Sequence, residues 1–164
     1  MKKYIILLFV LSIWGCRTQK QTSKYEPLSS NEFLENPFGI EESVERFKNK
    51  TKINYQVQKE IKQNRHYPDK SDTIYTLAFR KSEIHFYKTY TGKEFLLAGN
   101  ISNRQIILRN HIRVGMKLED FQRRFSGKLT LVNNQIRMMH SGIEFTFTFR
   151  NNKLAEIKFN NYID

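Results

Sequence analysis

The sequence predicts an α+β domain in which short helices pack on an antiparallel β-sheet meander. Three observations carry this. Apolar and polar residues alternate through several runs, the period of a half-buried strand. Two short segments, each opened by a glycine, instead place apolar residues at helical spacing. Turn residues, asparagine and glycine above all, separate the alternating runs.

Arg17 to Ser30 is polar, rich in Gln, Thr, Ser and Lys and without apolar periodicity, which predicts a flexible tether over 16–30. A single α+β domain over 31–164 follows. After Pro37-Phe38-Gly39, residues Ile40, Val44 and Phe47 share one face of a short helix ending near Lys50. Ile53, Tyr55 and Val57 alternate as a strand, and a polar loop runs from Gln63 to Asp72. From Thr73 the pattern is a meander: Tyr75, Leu77 and Phe79, a turn at Lys81-Ser82-Glu83, then Ile84 and Phe86. Thr91-Gly92-Lys93 turns the chain before strands over Phe95 to Ala98 and Gln105 to Leu108.

Leu118, Phe121 and Phe125 predict a second helix after Gly115, and Gly127 closes it. Strands then start at Leu129 and Leu131 and at Gln135 to Met139. The clearest local signal is the last hairpin. Ile143, Phe145, Phe147 and Phe149 alternate with polar residues, Asn151-Asn152 suits a tight turn with positive φ, and Ala155, Ile157 and Phe159 return along the sheet. The two halves, 38–108 and 112–164, run in the same order. That order is the pattern of a tandem helix-then-strands repeat, with chance similarity as the alternative.

Ahead of the domain, Lys2 and Lys3 precede an apolar run from Tyr4 to Leu11, and Ile13-Trp14-Gly15 leads to Cys16, the sole cysteine. This predicts an export signal over 1–15. Ile-Trp-Gly-Cys resembles the bacterial lipobox, which implies acylation of Cys16. Trp14 departs from the smaller residue usual there, and an ordinary secretory signal or an uncleaved anchor helix is the alternative. The apolar run is shorter than the ~20 residues a membrane-spanning helix needs.

The formal charge of the 164-residue chain is +12, and removing Lys2 and Lys3, with no acidic residue, leaves +10. Such a balance suits a nucleic acid, but export argues against that partner. Phospholipid headgroups, lipopolysaccharide, wall polymers and acidic proteins remain. The cations are scattered along the chain, the pattern of a solvated surface. With Cys16 acylated, packing alone must stabilise the domain.

Ile112-Arg-Val-Gly-Met-Lys-Leu-Glu-Asp-Phe, followed by Ile143-Glu-Phe-Thr-Phe-Thr-Phe-Arg-Asn-Asn-Lys-Leu, resembles the small envelope lipoproteins of the SmpA/OmlA (BamE) type and the β-lactamase-inhibitor-protein-like domains. The matching places are Val114-Gly115-Met116 and Asn151-Asn152-Lys153-Leu154, within the C-terminal third. Lys117 replaces the usual Ser or Thr N-cap, and Asn152 the usual turn glycine. The resemblance implies helices on one face of an antiparallel sheet whose other face or loops hold a protein partner, without catalysis.

Four histidines, His66, His85, His111 and His140, lie far apart and show no metal spacing; no metal or other cofactor is expected. Glu41-Glu42 and Glu119-Asp120 fall at helix starts, where negative charge complements the backbone dipole. Interfaces favour mixed aromatic and cationic groups, so Arg65, His66 and Tyr67, with Tyr87, Lys88 and Tyr90, are the candidate partner-binding residues. The expectation is a non-enzymatic, lipid-anchored interaction module of the bacterial envelope, on the periplasmic side of the outer membrane. A binding module for an anionic envelope molecule is the alternative.

Overall fold

Alternating apolar runs become seven strands, and the computed structural model, which describes residues 25–162, arranges them as one antiparallel sheet. The strands are β1 (Gln56–Gln63), β2 (Ser71–Phe79), β3 (Ser82–Lys88), β4 (Glu94–Ile101), β5 (Gln135–His140), β6 (Ile143–Arg150) and β7 (Lys153–Asn161). Their order is β1-β2-β3-β4-β7-β6-β5. The sheet is therefore two meanders joined at a seam, where Ala98 to Ile101 of β4 pair with Asn160 to Ile157 of β7. The fold class is α+β, but the sheet dominates it.

Three short helices lie on one face: α1 (Ser30–Glu35), α2 (Val44–Thr51) and α3 (Leu118–Gln122). Helices this short are not stable alone. Each inserts one fully buried phenylalanine into the sheet's apolar side, and burying such a ring stabilises by about 1.5–3 kcal/mol. Phe33 of α1 packs edge-on against Phe145 at 5.5 Å, Phe47 of α2 meets Phe86 at 5.5 Å, and Phe121 of α3 meets Phe147 at 4.7 Å. Phe159 of β7 stacks on Phe145 at 4.9 Å. Its ring also covers Gly99, where a Cβ would stand 2.5 Å from the ring; only glycine fits there.

The two motifs behind the family resemblance meet in space. Gly115 N–H donates to Leu154 O at 2.7 Å, Leu154 N–H to Met116 O at 2.8 Å, and Leu118 N–H to Asn152 O at 2.9 Å. The hairpin turn thus supplies the acceptor that the Lys117 side chain, at the N-cap of α3, does not. Asn151 and Asn152 both have positive φ, 49° and 58°, as the two-residue turn requires.

Several boundaries differ from the sequence reading. Residues 25–30, assigned to the tether, lie on the domain: Leu28 N–H donates to Arg124 O, and Ser126 N–H donates to Leu28 O. Ser29 and Glu32 form a capping box at the start of α1, a helix the periodicity missed. The turn between β2 and β3 is Arg80-Lys81, one residue early, so Ser82 is a buried strand residue. Strand β1 runs Gln56–Gln63 and is exposed throughout, whereas the buried Ile53 and Tyr55 precede it. Gln105 to Leu108 is no strand. β7 already occupies the free edge of β4, so Ile106 and Leu108 bury themselves as irregular chain ahead of a 3₁₀ turn, Arg109–His111. Leu129 to Leu131 likewise forms no strand, and Val132 makes only a bridge to Gln135. Cys16 and the signal lie outside the described residues.

Candidate functional site

Strand alternation sends every second side chain away from the helices, and no described element covers that second face. Register places Ile74, Tyr87 and Phe95 side by side there, because Ile74 pairs with Tyr87 and Tyr87 with Phe95. Towards the seam the face turns polar. A groove of about 380 Å³ is lined by Glu83, His85, Asn100, Glu144, Thr146 and Lys158, among others. His85 Nδ1 lies 2.9 Å from Thr76 Oγ1, directly opposite it on β2, a cross-strand pair that stabilises the sheet. Its Nε2 is 3.9 Å from Glu83.

The two sequence segments picked as contact candidates converge at one end of the sheet. Arg65, His66 and Tyr67 lie in the β1–β2 loop, Tyr87 and Lys88 end β3, and Tyr90 sits in the following turn. The Tyr67 and Tyr90 rings are 5.4 Å apart and tilted, and both are exposed, 54% and 42%. One carboxylate joins the segments. Asp72, only 2% exposed, accepts from the Tyr87 hydroxyl, from Tyr90 N–H at 2.8 Å and from Asn64 Nδ2 at 2.7 Å. Asn64 Oδ1 in turn accepts from His66 and Tyr67 N–H groups at 2.9 and 2.8 Å.

Desolvation by itself would raise the Asp72 carboxyl, but the three donors outweigh it and hold the group below its ordinary value. Burial, with the Asp72 bond and charge, pushes the Tyr87 hydroxyl up to about 12. Tyr87 therefore stays a neutral donor, and its bond to Asp72 ties it into the platform. Lys88 does not belong to this surface. It points to the helix side and pairs with Glu94 at 3.2 Å, whose other oxygen accepts Val44 N–H at 2.8 Å and so caps α2.

Sequence reasoning missed Asp72, which stands at the end of a polar loop while its partners Tyr87 and Tyr90 come 15 and 18 residues later. It also misplaced Glu42. That side chain precedes α2 and accepts Leu96 N–H at 3.0 Å, and burial raises its carboxyl. Glu119 and Asp120 do occupy the first turn of α3. Among the described residues no group of three or more His, Cys, Asp or Glu side chains could hold a metal ion. No described helix is long and apolar enough to cross a membrane.

The fold and site define an α+β domain with one helix-covered and one open sheet face. Compared with known proteins, the chain matches no family model, no curated protein and no solved structure.

Proposed function

We propose that this chain is a non-enzymatic, lipid-anchored protein of the bacterial envelope, facing the periplasm from the outer membrane, whose domain docks a protein partner. The observation that carries it is the sheet face opposite the helices, with its Tyr67–Tyr90 aromatic end and polar centre. Aromatic groups beside polar ones are the composition of a docking surface. The lipobox-like run before Cys16 supports the anchor. Sheet order supports the likeness to β-lactamase-inhibitor-protein-like domains. Helix α2 leads β1-β2-β3-β4 and α3 leads β5-β6-β7, and the last strand of each set pairs at the seam, so a duplicated unit over 38–108 and 112–164 would carry one extra strand, β1, in its first copy.

Photo-cross-linking in intact cells tests the proposal. A photoreactive residue at Tyr90 or Thr146, on the open side, is expected to give a discrete heavier adduct, and one at Lys48 on α2 none. Adducts from all three positions, or from none, would reject the open face as the docking surface. A second reading, an anionic envelope molecule as ligand, draws on the formal charge of the chain, +12 in full and +10 without Lys2 and Lys3. Binding of lipopolysaccharide or wall polymer that is unaffected by salt would dismiss it.

A further inference from the structure

We infer that a basic cleft, beside the point where the chain enters the domain, takes the phosphate groups of an anionic bilayer. The inference rests on the anchoring proposed above. The cleft, about 900 Å³, is lined by Lys52, Arg104, Arg113, Lys117 and Arg124 against one carboxylate, Asp120. That carboxylate is already engaged by Arg123 at 2.7 Å. Among the described residues none of the five cations forms an ion pair within 4.0 Å.

These residues are spread over 52–124 in the chain and come together only through the fold. Lys52 ends α2, Arg104 follows β4, Arg113 and Lys117 flank the Gly115 turn, and Arg124 follows α3. Five like charges around one concavity repel one another and raise the local potential for anions. Two observations point to the bilayer as their source. The Arg124 guanidinium lies 4.1 Å over the ring of Tyr25, the first described residue, so the cleft adjoins the chain leading to Cys16. At about 3.4 Å per residue, the nine residues from Cys16 to Tyr25 reach at most roughly 30 Å, which keeps the cleft close to headgroups. An acyl anchor together with a basic patch is a two-signal membrane attachment. The second signal would orient the domain, turning the open sheet face to a partner.

The test uses the full acylated protein on vesicles, with Gln105→Cys as a reporter in the cleft wall and Met139→Cys as a control on β5. Labelling by a membrane-impermeant maleimide is read at each peptide. On vesicles containing phosphatidylglycerol, the reporter should react about tenfold more slowly than on neutral phosphatidylcholine vesicles, while the control reacts equally on both. The difference should vanish in 1 M salt, where the Debye length is about 3 Å, and in an added R104E/R113E background. Equal reporter rates on the two vesicles, or equal slowing of the control, would overturn the inference. So would full protection on neutral vesicles by soluble pyrophosphate, which assigns the cleft to a free anion. Failure of acylation is read separately. Unacylated protein, known by its mass, would leave neutral vesicles yet still be protected on anionic ones.

Discussion

Replacing Asp72 by alanine removes the one acceptor that ties the β1–β2 loop to the end of β3. Three donors lose their partner: the Tyr87 hydroxyl, Tyr90 N–H and Asn64 Nδ2. A hydrogen bond to a charged group contributes about 1.5–3 kcal/mol, and an orphaned buried donor costs about 1–3 kcal/mol. Asn64 and Tyr90 lie beside exposed loop residues and can turn to water, whereas the half-buried Tyr87 hydroxyl cannot. The expected loss at neutral pH is therefore about 3 kcal/mol, less than three full bonds. In a domain of this size that lowers the melting temperature by roughly 10 °C. Urea denaturation of Asp72→Ala, with Tyr87→Phe beside it at about 1 kcal/mol, measures both.

The pH dependence fixes the sign. Because the folded carboxyl titrates below its ordinary value, its stabilisation is fully present above the ordinary aspartate range near pH 4 and is lost as pH falls through the folded value. The deficit of Asp72→Ala should shrink on acidification. Tyr87, raised to about 12, contributes stability that persists through pH 10 and is lost as pH rises through its folded value. A deficit below 1 kcal/mol at neutral pH, or one that stays constant into acid, would refute the assignment of Asp72 as the ionised hub.

Gly99→Ala should destabilise by about 1–3 kcal/mol, because Phe159 can yield space for the new methyl only by leaving its stack on Phe145; thermal unfolding followed by circular dichroism reads this. Ser29→Ala removes the acceptor of the Glu32 N–H bond and should cost about 1 kcal/mol, with hydrogen exchange rising first in α1 and at the Leu28 amide.

What the sequence shows of the fold is what neighbouring residues decide. The β6–β7 hairpin was legible because period, turn and return strand lie within 19 residues, 143–161. The helix α3 was legible from Leu118 and Phe121 behind Gly115. Helix α1 is only six residues long, and its one signature, Ser29 with Glu32, straddles the boundary at which the polar stretch reads as ending. Gln105 to Leu108 ends in the short apolar run of a buried strand, and only β7, some fifty residues later, decides that no edge is left for it. The candidate site divides the same way. Tyr67 and Tyr90 were visible as exposed aromatics in turns, but Asp72, which unites their loops, carries no local mark. The cations of the cleft read as scattered because their convergence is set by tertiary contacts alone.

The seam between β4 and β7 governs assembly as well as shape. A chain that emerges amino end first presents the bare backbone of Ala98 to Ile101 until the residues that cover it, Ile157 to Asn160, have followed. Phe33 waits longer still, since its aromatic seat on Phe145 and Phe147 is made more than a hundred residues downstream. Pairings so distant in the chain make for slow closure, and a half-made sheet with an open edge invites association with its neighbours. The nascent molecule therefore depends on being shielded until its final strand arrives, and truncation within β7 would leave a sticky intermediate instead of a smaller working domain.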